Sequence, residues 1–517
     1  MPWTDPRQFD AGLQDTKSLA DILSAAFEND PFMTWLLPDA ETRLYPIGCE
    51  PWLSMDDKAR RRRSDMTHPT GDTFSRRRLL ADAGLVGVGS IVLTGTSPVV
   101  AQAQRREPEP GAEVATAWAD LSLTLVKTTP GFTPPVASRA FAYMGITLYE
   151  SVVGGSGRHR SLAGLLRGLG RPQRSAGGGL CWPVAANAAL AAILRSLFPT
   201  TSEANQAAID ALETSIGTGW QYRVPRPVYA RSVSHGRAVA AQVFAWSTTD
   251  GGHEGYMRNF PADYVPPAGP GLWVPTPPGY LRALQPTWGR NRCFVIADGA
   301  AINSGPPTLY SETPGSQFHA EALEVYDAVN ANNAEWQAIA TFWSDDPGTT
   351  PTPPGHSVSI ATQVLRLEQA SLMTAAETYA RLGMAVADAF VACWSSKYVY
   401  KLLRPVTYLQ TQVDPNWLPQ LITPPFPEHP SGHSVQSGAA FKVLTDLFGR
   451  GYAFTDQTHD QRGLPARRFR SFRHAANEAA ISRLYGGIHF RPAIDLGLAQ
   501  GRLIGRATSR LPMRQGR

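Results

Sequence analysis

The chain has 517 residues, of which 43% are hydrophobic and 18% charged, with a formal net charge of +5. That composition is globular and supports one large or several ordinary domains; it excludes a disordered, fibrous or solenoid-repeat protein. The first 103 residues hold 11 Lys and Arg against 14 Asp and Glu, leaving 37 against 29 in the other 414, an excess that suits a small anion better than nucleic acid.

Residues 1–65 precede a second candidate start, Met66, and read as an upstream extension. Within them SLADILSAAFENDPFMTWLLPD, Ser18 to Asp39, resembles the first helix of a GNAT-type acetyltransferase, but the Gly-rich acetyl-CoA loop such an enzyme needs does not follow, so no activity is assigned. From Met66 to Ala103 the pattern is that of an export signal: Arg76, Arg77 and Arg78 precede a weakly apolar, Gly-containing stretch that ends in Ala101-Gln102-Ala103, small residues of the kind a signal peptidase accepts. It resembles a twin-arginine signal. The expected destination after cleavage is periplasmic or extracellular, with the export machinery as partner and no stable membrane span in the mature form. Residues 104–517 form the remaining domain.

From about residue 112 the apolar residues recur at spacings of three and four, as in EVATAWADLSLTLVK, VASRAFAYMGITLYESVV, AANAALAAILRSLF and PVYARSVSHGRAVAAQVFAW. In TTSEANQAAIDAL, Thr201 or Ser202 caps a helix whose first turn carries Glu203. Residues 251–318 interrupt the pattern with PADYVPPAGPGLWVPTPPGY, too rich in proline for helix or central strand, and read as a long ordered loop carrying Trp273 and Trp288. Helices resume at HAEALEVYDAV, NAEWQAIATFW and LEQASLMTAAETYARLGMAVADAFVACWSSKYVY, then near 432–448, 471–486 and 492–508. The run closest to a basic stripe with interleaved aromatics, ARRFRSFRH from Ala466 to His474, reads as a solvated helix face. The expected fold is all-α, a helical bundle with long Pro-rich loops. Cys49, Cys181, Cys293 and Cys393 are scattered without a C-x-x-C pair, which gives zinc-finger and thioredoxin chemistry no support; Cys393 reads as a buried small hydrophobe.

Three segments of the last third share one chemical character. In KYVYKLLRP, Lys397 and Arg404 are separated by six residues, close to two helical turns and hence on one helix face, and the helix is expected to end before Pro405. In PSGH, Ser431 can donate its hydroxyl, Gly432 lets the backbone approach a ligand, and a helix starting there offers free amides and its dipole to an oxyanion, with His433 beside it for proton transfer. SRLYGGIHF supplies Arg483 and His489, with Gly486 and Gly487 bending the chain between them. Each segment alone is compatible with a surface stripe, a capped turn or a core histidine. Together, two arginines, one lysine, two histidines and a Ser-Gly turn match a tetrahedral oxyanion, without which the like charges repel.

This ordered set, K-x6-R-P, P-S-G-H and S-R-x5-H, resembles the superfamily of vanadium-dependent haloperoxidases and type 2 phosphatidic acid phosphatases, over roughly residues 112–508. The resemblance implies four-helix bundles and a bound vanadate, or phosphate in the same site. His489 is implied to be the axial vanadium ligand, with Lys397, Arg404, Ser431, Gly432 and Arg483 neutralising the oxygens. His433 is implied to take the proton of hydrogen peroxide, and Lys397 to polarise the peroxide for attack by a halide. Trp394 and Phe426 match aromatic positions lining the halide side in fungal chloroperoxidases. Asp346 matches an acid that pairs with the anion-binding arginines, and Asp345 is an equal candidate.

One departure concerns the acid that orients the last histidine of the phosphatases, four residues after it. Here that position is Ala493 and the nearest acid is Asp495, so another orienter such as a backbone carbonyl is needed. Three functions remain open at this level: a haloperoxidase using peroxide and a halide, a phosphohydrolase acting on a phosphoester through a phosphohistidine, and an exported anion-binding protein without turnover. His253, His356 and His429 are loop histidines that could approach the site.

Overall fold

The computed structural model describes residues 110–171 and 178–515. The extension 1–65, the signal 66–103 and Cys49 lie outside the described residues.

The described residues form thirteen α-helices and one two-stranded ribbon, the expected all-α architecture. In chain order the helices are α1 Glu113–Thr128, α2 Pro134–Val152, α3 Trp182–Leu197, α4 Glu203–Gln221, α5 Arg226–Ser247, α6 Gln317–Asn330, α7 Ala334–Phe342, α8 Thr352–Leu367, α9 Leu372–Tyr400, α10 Pro405–Gln412, α11 Gly432–Phe448, α12 Phe472–Tyr485 and α13 Arg491–Ser509. Their starts have two causes. Ser202, Ser316, Asn333, Ser371, Ser431 and Ser471 each accept a first-turn amide through the side chain. At six more a proline occupies the first turn, where its missing N–H costs nothing, and α1 has neither device. The proline device starts α8, a helix the periodicity did not pick out, with Pro353 and Pro354 in its first turn.

The 29-residue α9 runs through the core, buried from Ala375 to Trp394 without a break. It packs along α2 at close range: a Cβ on Gly145 would lie 2.4 Å from the Tyr379 carbonyl oxygen. On its other side α9 meets α11, and α11 in turn lies against α13, where Gly501 brings the backbones together; a Cβ there would fall 2.0 Å from the Val435 oxygen. The second contact holds α11, which starts at Gly432, against α13, which starts two residues after His489.

The loop 251–318 is ordered and mostly irregular, with short 3-10 turns at Gly255–Met257 and Trp288–Arg290. Trp273 and Trp288 are buried. Three backbone amides, of Phe294, Val295 and Ile296, donate to the buried carboxylate of Asp388 on α9, which ties the loop to the core.

The run Ala466 to His474 is not a helix face. Arg467–Phe469 is strand β2, paired antiparallel with β1, Phe454–Asp456, and Arg467 is held by Glu478 and Glu335. Cys181, Cys293 and Cys393 are free thiols, and Cys393 is buried. Among the described residues no helix is long and apolar enough to cross a membrane.

Candidate functional site

Lys397 and Arg404 do not share a helix face. Lys401 takes a left-handed conformation, φ 51°, and its amide turns back 2.8 Å to the Lys397 carbonyl, ending α9 at Tyr400. Arg404 is then the extended residue preceding α10. The two cations meet again through this bend. Lys397 is fully buried, and its Nζ donates to the carbonyls of Pro427 at 2.8 Å and Glu428 at 2.9 Å. Arg404, equally buried, donates from Nε to the Phe426 carbonyl and from one terminal nitrogen to the Ile488 carbonyl, both at 2.8 Å. The same nitrogen lies 3.2 Å from His489 Nε2.

Burial pulls the Lys397 ammonium down from 10.5 to about 7 and the Arg404 guanidinium to about 10. Arg483, in the last turn of α12, is buried too and is likewise lowered to about 10; it donates to the Ser482 hydroxyl and the Ala340 carbonyl. Asp346 and Asp345 act on Arg483 electrostatically. Asp346 makes no ion pair with either site arginine among the described residues, so the expected acid–arginine pairing is a field effect only. Asp345 is turned elsewhere: it pairs with His356 at 2.8 Å and lies 3.2 Å from His459.

Ser431 caps α11, accepting from the Ser434 amide, so the amides of Gly432 and His433 are first-turn donors with no intrahelical carbonyl to meet. Gly432 and His433 are partly exposed, while Lys397, Arg404, Ser431, Arg483 and His489 are buried, so the start of α11 is the less enclosed side of this group. His433 interacts with the Trp343 backbone carbonyl, and its Nε2 is buried without a hydrogen-bond partner. Burial, and next Arg483, hold its imidazole well below the usual range, hence neutral.

The orienter of His489 is Glu428, which the sequence did not reveal. Glu428 Oε1 lies 2.8 Å from His489 Nδ1 and accepts the Phe490 amide at 2.9 Å. Because Oε1 already receives that backbone N–H it is an acceptor, so His489 carries its proton on Nδ1 and presents the Nε2 lone pair to the cations. Burial, with Arg404 and Lys397 adding to it, holds His489 neutral, and burial raises the Glu428 carboxyl to about 7. Neither Ala493 nor Asp495 takes part; Asp495 lies near Arg491 and Glu324. The only earlier signal was an acid three residues before Ser431.

An aromatic wall adjoins the cations. The Phe426 ring lies 5.0 Å from Lys397 Nζ and 4.8 Å from the Arg404 guanidinium, and Trp394 tilts against it at 5.0 Å. Trp394 Nε1 and the Tyr398 hydroxyl both donate to the Leu284 carbonyl, and the Leu284 amide donates to Pro425, so the Pro-rich loop braces this wall. Of the three histidines read as loop residues, His356 stands on α8, and all three have other contacts. His253 lines a separate cavity with Phe132, Arg139 and Tyr256, and His429 contacts the Gly305 carbonyl and the Ser304 hydroxyl. His356 lies between Asp345 and Asp456.

Three comparisons bear on this arrangement. Residues 377–515 match a family model described as the VCPO second helical-bundle domain. No curated protein matches the chain by sequence. Among solved structures, one described as the first bacterial vanadium-dependent iodoperoxidase is 36% identical, covers 79% of this chain and 98% of its own, and superposes with a TM-score of 0.72. The holo and apo forms of a bacterial vanadium-dependent chloroperoxidase are 16% and 15% identical with TM-scores of 0.59 and 0.56, covering 78% and 74% of this chain and 96% and 94% of theirs, a likeness of fold. The three motifs, the bundle that joins them and the near full-length likeness to the iodoperoxidase show that the chain belongs to the vanadium-dependent haloperoxidase family.

Proposed function

We propose that this protein is a haloperoxidase that holds vanadate among Lys397, Arg404, Ser431, Gly432, Arg483 and His489 and uses hydrogen peroxide to oxidise a halide. The carrying observation is the chemistry of the donor set: three buried cations, first-turn amides and a histidine nitrogen freed by Glu428, with one carboxylate behind that histidine. Such a set is short of negative charge and fits a tetrahedral oxyanion. When bound, vanadate supplies a Lewis acid that activates peroxide.

The residues divide the remaining work. His489 offers Nε2 as the ligand atom, its tautomer fixed by Glu428. Arg404 and Arg483 carry permanent positive charge and neutralise the oxyanion from two sides. Lys397, near its titration point at neutral pH, donates hydrogen bonds to the bound group and balances charge as it changes. His433, held neutral, accepts the proton of incoming peroxide on its unpartnered Nε2, its other side held by Trp343. Trp394 and Phe426 give the adjoining face a dry, polarisable surface suited to a large, weakly hydrated halide.

The test is to load the purified protein with orthovanadate and measure triiodide formation from iodide and peroxide, with bromide and chloride in parallel. Phosphomonoester hydrolysis without vanadate is the competing assay. Vanadate-dependent halide oxidation supports the reading; hydrolysis without it replaces the reading with a phosphohydrolase. We further propose that residues 66–103 direct twin-arginine export, with Met66 as the start; replacing Arg76 and Arg77 by Lys should leave the precursor in the cytoplasm.

A further inference from the structure

A second polar cluster lies behind the site and has the opposite sign. Asp345, before α8, His356 on α8, Asp456 on β1 and His459 just after it are all buried, with side chains 0 to 1% exposed. His356 lies between two carboxylates, Nδ1 at 2.8 Å from Asp345 Oδ2 and Nε2 at 2.7 Å from Asp456 Oδ2. On the other oxygen of Asp345, His459 Nε2 stands 3.2 Å away but out of line for a hydrogen bond, which leaves both Asp345 Oδ1 and His459 Nε2 buried and unpartnered.

Two buried carboxylates carry two negative charges, and one imidazolium offsets one of them. An anion is excluded here. A divalent cation completes the balance with both histidines neutral. One ligand atom from each of Asp345, His356 and His459 lies within 4.8 Å of the others. Tetrahedral zinc, with bonds of about 2.0–2.1 Å, sets its ligands roughly 3.3 Å apart, so small side-chain adjustments suffice. Asp456 occupies the outer position on the far side of His356: by accepting the Nε2 proton it directs the Nδ1 lone pair toward Asp345 and His459. The Trp343 indole stacks on His356 at 4.6 Å and the Phe342 ring meets His459 edge-on at 5.1 Å, which closes the cluster from solvent.

We propose that Asp345, His356 and His459 bind one first-row divalent cation of the zinc type, with Asp456 orienting His356. Two imidazoles and a carboxylate favour zinc over calcium or magnesium, which take oxygen donors. The cation pins the β1–β2 ribbon to α8 and to the Trp343–Asp346 segment, whose carbonyl and acids face His433 and Arg483. It is a structural support for the site, separate from the oxyanion cage.

The test titrates Zn2+ alone into chelator-treated, full-length protein whose cage is saturated with vanadate, measuring bound zinc by plasma emission and locating it by anomalous diffraction at the zinc edge. One Zn2+ per chain between Asp345, His356 and His459 is expected. His459→Gln should lose it, and Asp456→Asn, which leaves all three ligands in place, should weaken it 10–100-fold. If His459→Gln does not fold, Asp456→Asn decides. Absence of bound zinc in the wild type, zinc located elsewhere, or wild-type affinity in Asp456→Asn overturns the proposal.

Discussion

Lys397 makes anion binding a protonation event. The unfolded chain keeps this proton up to about 10.5, whereas burial makes the folded chain release it at about 7. Between those values the unfolded state binds more protons, so stability rises with pH through the window, and below about 7 the folded protein carries the full penalty, about 5 kcal/mol. An oxyanion beside Nζ removes much of that penalty by restoring the favoured charge. Glu428, raised by burial from 4.5 to about 7, gains its negative charge over the same neutral range and weakens the attraction further. Affinity should therefore fall as pH rises, the lysine alone contributing a slope that approaches about tenfold per pH unit above 7. Tungstate is the probe of choice, since it keeps one charge state between pH 6 and 9 while vanadate does not. Calorimetric titration across that range should show proton uptake on binding, and Lys397→Met should bind more weakly with a flatter pH profile. An affinity that stays constant from pH 6 to 9, or a slope unchanged in Lys397→Met, refutes the reasoning.

Other consequences are equally direct. Glu428→Asp keeps the charge but withdraws the carboxylate from His489 by one methylene, so vanadium retained after gel filtration should correspond to an affinity 10–100-fold weaker. His489→Ala should lose vanadate retention altogether, whereas His433→Ala should keep the vanadium and lose halide oxidation; the same metal analysis and assay applied to both variants separate the two roles. Gly501→Ala drives a methyl group to about the 2.0 Å position beside the Val435 carbonyl and must spread α11 from α13, a cost of about 1–3 kcal/mol readable as a lower denaturant midpoint with an unchanged slope.

How much was legible depended on whether the signal was local. Helix starts at Ser202, Ser431 and Ser471 follow from a cap and an apolar period within a few residues, and the structure has them there. The three motifs were legible as chemistry because each holds its functional groups within nine residues. Their joining was not, and neither was the bend after Tyr400: KYVYKLLRP contains no glycine or asparagine to announce a left-handed stop at Lys401, so helical spacing gave the right partners for the wrong reason. The α8 start was hidden for the reverse cause, two prolines that normally signal loop but here occupy a first turn. Glu428 is 61 residues from the histidine it orients. Looking four residues after His489 found Ala493, because the carboxylate arrives from the irregular segment before α11 rather than from α13.

The separation of charge around Trp343 joins these observations. On one side stand Lys397, Arg404 and Arg483, whose guanidinium and ammonium groups mostly donate to backbone carbonyls and so keep their net charge available for a guest. On the other stand Asp345 and Asp456, whose field reaches Arg483 and His433 from Asp345. An uncompensated acidic pair there would oppose anion binding and raise the proton affinity of His433, the residue whose neutrality the proposed proton transfer requires. His356, lying between both carboxylates and raised to about 10 by them against the cost of burial, offsets one of the two charges, and a divalent cation in its proton's place offsets both. The acids behind the cage thus support it only while they are neutralised, and the two clusters have to be read as one electrostatic unit.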